Sequence, residues 1–253
     1  MISPALHTWD SWQGTALVVG CGGIGQALLE ELGRRWPQLH LVGASRRDWR
    51  QADDPRWQGI DHQPLELTDD ASLARLGASL GGRAPLRIVI NTAGVLHSPR
   101  LQPEKRLSQV SRTALEESFA VNAFAPLLLA QAIESALPAA EPFHFASLSA
   151  RVGSIGDNQL GGWYAYRAAK AAQNQLLRTL ALEWRRRKPQ GCVSVLHPGT
   201  TATGLSAPFQ AGVPPEKLFT PQRAAGQLLS ILEGLTAEQS GSFWAWDGQP
   251  IPW

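Results

Sequence analysis

The sequence predicts an α/β fold, a doubly wound parallel sheet of about seven strands with helices on both faces. Three observations predict it. Short apolar runs alternate with amphipathic, helix-like segments nearly from end to end. A glycine-rich stretch, Gly20-Cys21-Gly22-Gly23-Ile24-Gly25, joins the first apolar run to the first such segment. The 253 residues, 43% hydrophobic and 17% charged, suit one globular domain over 1–253.

Taken in order, residues 15–20 (TALVVG) read as a short buried strand, 24–36 as a helix closed by Pro37, and 39–45 (LHLVGAS) as a second strand. A weaker third strand falls at 63–67, followed by a helix over about 70–80. Residues 86–93 (LRIVINTA) form a fourth strand. Residues 113–137 are helical with a kink expected at Pro126. A fifth strand covers 142–149, a long helix 163–187 and a sixth strand 192–197. A helix over 221–234 has Pro at its first turn and Gly past its end, and a last short strand covers 242–246. The least regular stretches are 97–112 and 200–221, and the second is expected to act as a substrate loop.

A formal net charge of +2 excludes the strong basic excess of a nucleic-acid binder. Arg185, Arg186, Arg187 and Lys188 read as the solvated last turn of a helix. Cys21 and Cys192 form no disulfide framework, and neither has neighbours suited to a metal, so no metal is expected. Residues 1–7 lack the pattern of a signal peptide, and no apolar run approaches the length of a membrane span. The expected location is the cytoplasm.

Gly20, Gly22 and Gly25 fit G-x-G-x-x-G between a strand and a helix, the Rossmann-type arrangement in which backbone N–H groups at a helix N-terminus receive a pyrophosphate. Ser45 lies 20 residues after Gly25, where an acidic residue would bind a ribose 2′-hydroxyl. Here the strand ends Ser45-Arg46-Arg47, which suits a 2′-phosphate and favours NADP(H) over NAD(H). It also disfavours a methyltransferase, whose similar loop is usually followed by an acidic residue at this point. A local pairing of the arginines with Asp48 is the plain alternative.

Tyr166 has Lys170 at i+4, on one helical face. With only two tyrosines and four lysines in the chain, chance gives such a pair about 3% of the time. A nearby ammonium is expected to lower the phenol's pKa, and a phenol so tuned can exchange a proton with a carbonyl oxygen as hydride is transferred.

Together with Asn91-Thr92-Ala93-Gly94, Asn122, Tyr166-Arg167-Ala168-Ala169-Lys170 and Pro198-Gly199, these features resemble the short-chain dehydrogenase/reductase family over about 15–246. The stretches 149–158 and 161–166 resemble a narrower group of C-factor-like proteins and sniffer-type carbonyl reductases. The resemblance implies that Tyr166 is the general acid/base, that Lys170 tunes it and holds the nicotinamide ribose, and that Asn122 supports a water relay. It implies that Asn91, Ala93 and Gly94 line the cofactor, and that Glu66 and Leu67 sit by adenine. Gly23 and Ile24 complete the phosphate loop, and Thr201 and Thr203, after Pro198-Gly199, meet the carboxamide and phosphates. The substrate so implied is a small carbonyl or alcohol compound. Pairing of the helices at 113–137 and 163–187, with alanines 168, 169, 171 and 172 allowing close approach, would form a homodimer or higher homo-oligomer.

Two departures stand out. The loop lacks the usual Thr-Gly-x-x-x-Gly-x-Gly spacing, with Val18 and Val19 at the Thr-Gly positions. The position of the family's active-site Ser, three residues before Gly153, holds Ala150, so the expected hydroxyl falls to Ser149, with Ser147 second. The missing hydroxyl keeps a second reading open, an NADP(H)-binding sensor or signalling protein with little turnover. His97 is expected to be a solvated loop side chain rather than to face the substrate, Trp163 to form a pocket wall or merely pack, Cys21 to be filler, and the aromatic C-terminus to close the pocket or make a subunit contact.

Overall fold

The structure, a computed structural model, describes residues 8–50 and 54–253. The expectation for residues 1–7 lies outside these. The elements are β1 (Gly14–Val19), α1 (Gly23–Arg35), β2 (Leu39–Ser45), β3 (Ile60–Pro64), α2 (Asp70–Leu80), β4 (Leu86–Asn91), α3 (Arg112–Phe119), α4 (Ala125–Ile133), β5 (Phe143–Leu148), α5 (Tyr164–Arg187), β6 (Gly191–His197), the two-residue β7 (Thr200–Thr201) and β8 (Leu218–Phe219), α6 (Pro221–Glu233) and β9 (Ser242–Ala245).

Seven strands form one parallel sheet in the order β3-β2-β1-β4-β5-β6-β9. Alternation along β1 feeds two cores. Leu17 and Val19 pack with Leu73 and Leu76 of α2, Leu129 and Ile133 of α4 and Leu177 and Trp184 of α5. Ala16 and Val18 pack with Leu28 and Leu32 of α1 and Leu228 and Leu232 of α6. Helices on both faces explain why β1, β4 and β5 are buried throughout and read as predominantly apolar runs rather than alternating ones. The strand order reverses between β1 and β4, and the paired Val19 and Asn91 open the crevice where such sheets bind ligands.

The third strand lies three residues earlier than expected, pairing Leu41 with Ile60 and Ser45 with Pro64. It is an edge strand, and its polar Asp61, His62 and Gln63 hide it in the sequence. Leu65 and Leu67, which suggested a strand, are buried where the chain turns into α2. The kink expected at Pro126 is instead a π-helical turn, Ala120–Phe124, between α3 and α4. Proline supplies no N–H to the preceding turn, and the widened turn absorbs the loss. Arg112–Ala136 is long and apolar enough by composition to cross a membrane, unlike the expectation from the sequence. Its stripe of Asn122, Ala125, Leu129, Ala130 and Ile133 faces the protein core, against α2 and α5. Arg185, Arg186 and Arg187 are exposed as expected, but Lys188 is buried and donates to Leu137 O at 3.0 Å.

The amino ends of the strands are floored by indoles. Trp9 is fully buried, with ring centroids 5.5 Å from Trp12, 4.8 Å from Trp36 and 5.1 Å from His144. The Arg87 guanidinium lies over Trp12 at 4.5 Å. Burial among these rings pushes the His144 pKa down to about 3, so this imidazole is neutral.

Candidate active site

Each glycine of the loop after β1 has its own steric reason. Gly20 takes φ +86°, and a Cβ there would lie 2.8 Å from Ala93 N. A Cβ on Gly25 would lie 2.2 Å from Gly20 O, so only glycine lets α1 press against the end of β1. Gly22 faces open space, and a Cβ on Gly23 would stand 3.1 Å from Thr203 Cγ2. Thr92 Oγ1 donates to Gly20 O at 2.5 Å and its N–H to Val19 O at 2.8 Å, anchoring the loop that lacks the family's usual spacing. Helix α1 begins at Gly22 with no side-chain cap and no acidic residue in its first turn, the arrangement that receives an anion. Ile24 packs partly into the core below. Cys21 is buried and its thiol is pushed up to about 12, so it is filler.

At the end of β2, Arg46 and Arg47 are exposed and make no ion pair with a described residue. Asp48 pairs with Arg50 at 2.7 Å rather than with either of them. Ser45 Oγ donates to Arg47 O at 2.7 Å. The Glu66 carboxylate accepts from Thr68 N–H at 3.1 Å and Oγ1 at 2.8 Å, and Leu67 is buried beside it.

Tyr166 and Lys170 both lie on the buried face of α5, with Lys170 Nζ 5.8 Å from the Tyr166 ring centroid. Nζ donates to Leu148 O at 2.9 Å and to Gln173 Oε1 at 2.8 Å, which leaves one of its three protons unassigned. A Cβ on Gly94 would sit 3.8 Å from Nζ and 3.2 Å from Asn122 Oδ1, so glycine keeps the space before the amine open. Burial pushes the Lys170 pKa down to about 7 and holds the Tyr166 phenol above its ordinary value. The expected lowering of the phenol is therefore corrected: loss of water around the oxygen disfavours its ionised form.

Three further expectations shift. Ser149 Oγ donates to Asn174 Oδ1 at 2.8 Å, and Asn174 is two helical turns beyond Tyr166. Ser147 Oγ accepts from Asn91 Nδ2 at 3.0 Å and from Gln173 Nε2 at 3.0 Å, fully buried within the sheet. Both hydroxyls are thus tied to the scaffold. Asn91 Oδ1 takes the Ala93 N–H at 3.2 Å, so its amide links the end of β4 to β5 and to the turn that follows. Asn122, in the π turn, accepts from Val95 N–H at 3.0 Å and donates to Val95 O at 2.7 Å and Ser118 Oγ at 3.2 Å. Its amide positions the Gly94–Val95 backbone through both its oxygen and its nitrogen.

After β6, Gly199 (φ +74°) lies against Phe219 and Trp246, and Thr201 Oγ1 donates to Pro198 O at 3.4 Å. Thr203 reaches the glycine loop. Beyond it, Phe209 approaches Trp163 at 5.2 Å and His97 at 6.0 Å, and Trp163 lies 6.2 Å from Tyr166. Trp163 therefore stands beside Tyr166, and His97 meets this aromatic group only through Phe209. Trp246 packs on Phe219 at 4.7 Å, and Phe243 stacks on Trp253 at 5.7 Å, so the C-terminal aromatics pack within the chain. Gln173, Thr92 and Glu104, which buttress the site, were not singled out in the sequence. Only Gln173, three residues after Lys170, carried a spacing that could have shown it.

The sequence pattern described as short chain dehydrogenase matches residues 14–213. The chain belongs to the short-chain dehydrogenase family. It is 33% identical over 170 residues to the C-signal protein of Myxococcus xanthus, covering 67% of this chain and 93% of that one. Identity is 31% over 199 residues to 1-hydroxy-2-glutathionyl-2-methyl-3-butene dehydrogenase of Rhodococcus sp. strain AD45, covering 77% and 81%. The NADPH-bound carbonyl reductase from chicken fatty liver superposes with a TM-score of 0.80 at 25% identity, over 96% of this chain and 100% of that one. The carbonyl reductase Sniffer of D. melanogaster shares the fold, with a TM-score of 0.80 at 22% identity over the same shares. Membership makes this short-chain dehydrogenase a nicotinamide-dependent oxidoreductase of carbonyl and alcohol groups, and the narrower likeness is met in sequence by C-signal and in fold by Sniffer.

Proposed function

We propose that the protein is an NADP(H)-dependent carbonyl reductase working on a small or medium carbonyl compound, as one domain with a substrate loop near 200–221. The observation that carries this is the buried Tyr166–Lys170 pair beside Gly94, at the carboxyl ends of β4 and β5. The residues fit the cofactor: an uncapped helix behind open Gly22 for the pyrophosphate, and Arg46 and Arg47 for a 2′-phosphate. Glu66 and Leu67 would border adenine, and Pro198, Gly199, Thr201 and Thr203 the nicotinamide and phosphates. When bound, NADPH supplies the hydride.

Tyr166 then gives its phenolic proton to the carbonyl oxygen. The phenol is neutral at neutral pH, the form that donates a proton in the reducing direction. Lys170 steadies the phenolate through its unassigned proton, and Leu148 O and Gln173 hold the amine in place. Asn122 fixes the Gly94–Val95 backbone on which the nicotinamide side of the cleft is built.

NADPH consumption across a carbonyl panel tests the reading. Arg46→Ala with Arg47→Ala should weaken NADPH about 10- to 100-fold and leave NADH unchanged, measured as Kd. A second reading, a sensor that binds NADP(H) with little turnover, is favoured by the engagement of Ser149 with Asn174 and by Ala150 at the family's serine position. Tight NADPH binding with no turnover on the whole panel would select it. A homodimer through α3–α4 and α5 is also proposed, from exposed Phe124 and Leu182. Light scattering at micromolar concentration is expected to give twice the 27.4 kDa chain mass.

A further inference from the structure

Gly161 (φ +64°), Gly162 (φ +66°) and Trp163 (φ +52°) take left-handed backbone in succession, immediately before α5. Among the described residues Trp163 is the only non-glycine with positive φ. A bulky side chain there is strained, and such strain persists only where the surroundings over-determine it.

The surroundings do so from both sides. Gly161 N–H donates to Asn158 Oδ1 at 3.1 Å. The Arg167 guanidinium donates to Gly161 O at 3.2 Å, Gly162 O at 3.0 Å and Val152 O at 3.4 Å. Opposite, Glu104 O accepts the Trp163 N–H at 2.5 Å, and Glu104 Oε2 accepts the Ala165 N–H at 3.3 Å. Gly162 is pressed against the same residue, since a Cβ there would lie 3.2 Å from Glu104 O.

Glu104 is 2% exposed and makes no ion pair with a described residue, and among the described residues its buried Oε1 has no hydrogen-bond partner. Burying a carboxyl group with an oxygen left unpartnered is costly. Its other oxygen takes an orphan N–H of the first turn of α5, which Trp163 leaves without a side-chain cap. A Ser or Asn beside that helix would cap it without burying a whole carboxyl group. What the arrangement secures is the placement of two rings. Trp163 is carried to 6.2 Å from Tyr166 and 5.2 Å from Phe209. Helical side chains lean toward the helix N-terminus, so Tyr166 leans toward this same turn.

We propose that Glu104 is a positioning residue of the reaction, holding the left-handed turn at 161–163 and the first turn of α5 so that Trp163 braces Tyr166 at the substrate. The proposal rests on the carbonyl-reductase reading. Arg167 is the second arm of the clamp.

The test compares the full-length protein with Glu104→Ala and Glu104→Gln, reading kcat, KM, NADPH Kd and amide hydrogen exchange, with Tyr166→Phe in parallel. Glu104→Ala should lower kcat about 10- to 100-fold, as expected for a displaced reacting group. NADPH Kd should stay within about twofold, because the glycine loop is untouched. Glu104→Gln should recover most of kcat, since its amide oxygen still accepts the Ala165 N–H. Exchange at Trp163 and Ala165 should quicken in Glu104→Ala alone. A parental kcat in Glu104→Ala, a Gln variant as impaired as the Ala variant, or NADPH binding that weakens in step with kcat overturns the proposal. If Glu104→Ala does not fold, Arg167→Gln releases the turn from its other side, and a parental kcat there overturns it equally. A wild type without Tyr166-dependent turnover overturns the carbonyl-reductase reading and the catalytic task of Glu104 with it. Wild-type turnover that ignores Glu104 overturns this inference alone.

Discussion

Tyr166→Phe removes carbonyl-dependent NADPH oxidation, by about 10²–10⁴-fold in kcat, while NADPH binding persists. The substitution deletes one oxygen from a ring that is already buried, so the cavity and the packing of Trp163 change little. The loss is confined to the proton that the phenol would deliver. Stopped-flow absorbance with saturating NADPH checks it, and turnover within threefold of the parent would remove Tyr166 from the chemistry. Tyr164, exposed on the opposite side of α5, provides the control: Tyr164→Phe should leave kcat unchanged.

The second large effect is at Lys170. Burial sets its pKa to about 7, so the charged form predominates below neutrality and is lost above it. Reduction that depends on the ammonium should therefore decline as pH rises through about 7, and Lys170→Met should lower kcat about 10²-fold and flatten that limb. Stability has the opposite sign. The folded pKa lies below the ordinary lysine value of 10.5, so the unfolded chain holds the proton more tightly between the two values. The contribution of the neutral amine is present above 10.5 and lost as pH falls through about 7. Thermal melts of the parent and Lys170→Met between these limits separate the two effects, and parallel curves would show that the amine carries no such shift.

Much of the fold was legible in the sequence because its central strands are buried on both faces, and short apolar-rich runs such as Ile88-Val89-Ile90 within 86–91 mark them. The third strand was misplaced because an edge strand is exempt from that rule, and Asp61, His62 and Gln63 give it a polar face. The glycine loop and the Tyr166–Lys170 pair were legible because their spacing is local. The serines were not. Whether Ser149 faces a cleft or a helix depends on Asn174, 25 residues away in sequence, and no pattern within the strand records that bond. The π turn escaped notice for a similar reason. Pro126 announces an interruption, but how the backbone absorbs it depends on the Val95 backbone that Asn122 reaches. Glu104 lies in a loop without periodicity, where a buried carboxylate looks like any solvated one.

The indole floor beneath the strands has an optical consequence. Trp9, Trp12 and Trp36 sit at the opposite edge of the sheet from Trp163 and Trp246. Their emission forms a constant background, held in a dry setting that a ligand entering from the far side does not touch. Quenching on titration with a nucleotide or a carbonyl compound then reports on indoles at the carboxyl ends of the strands, Trp163, Trp246 and Trp49 beside Gly43 among them, and the chain carries its own internal standard for reading occupancy there.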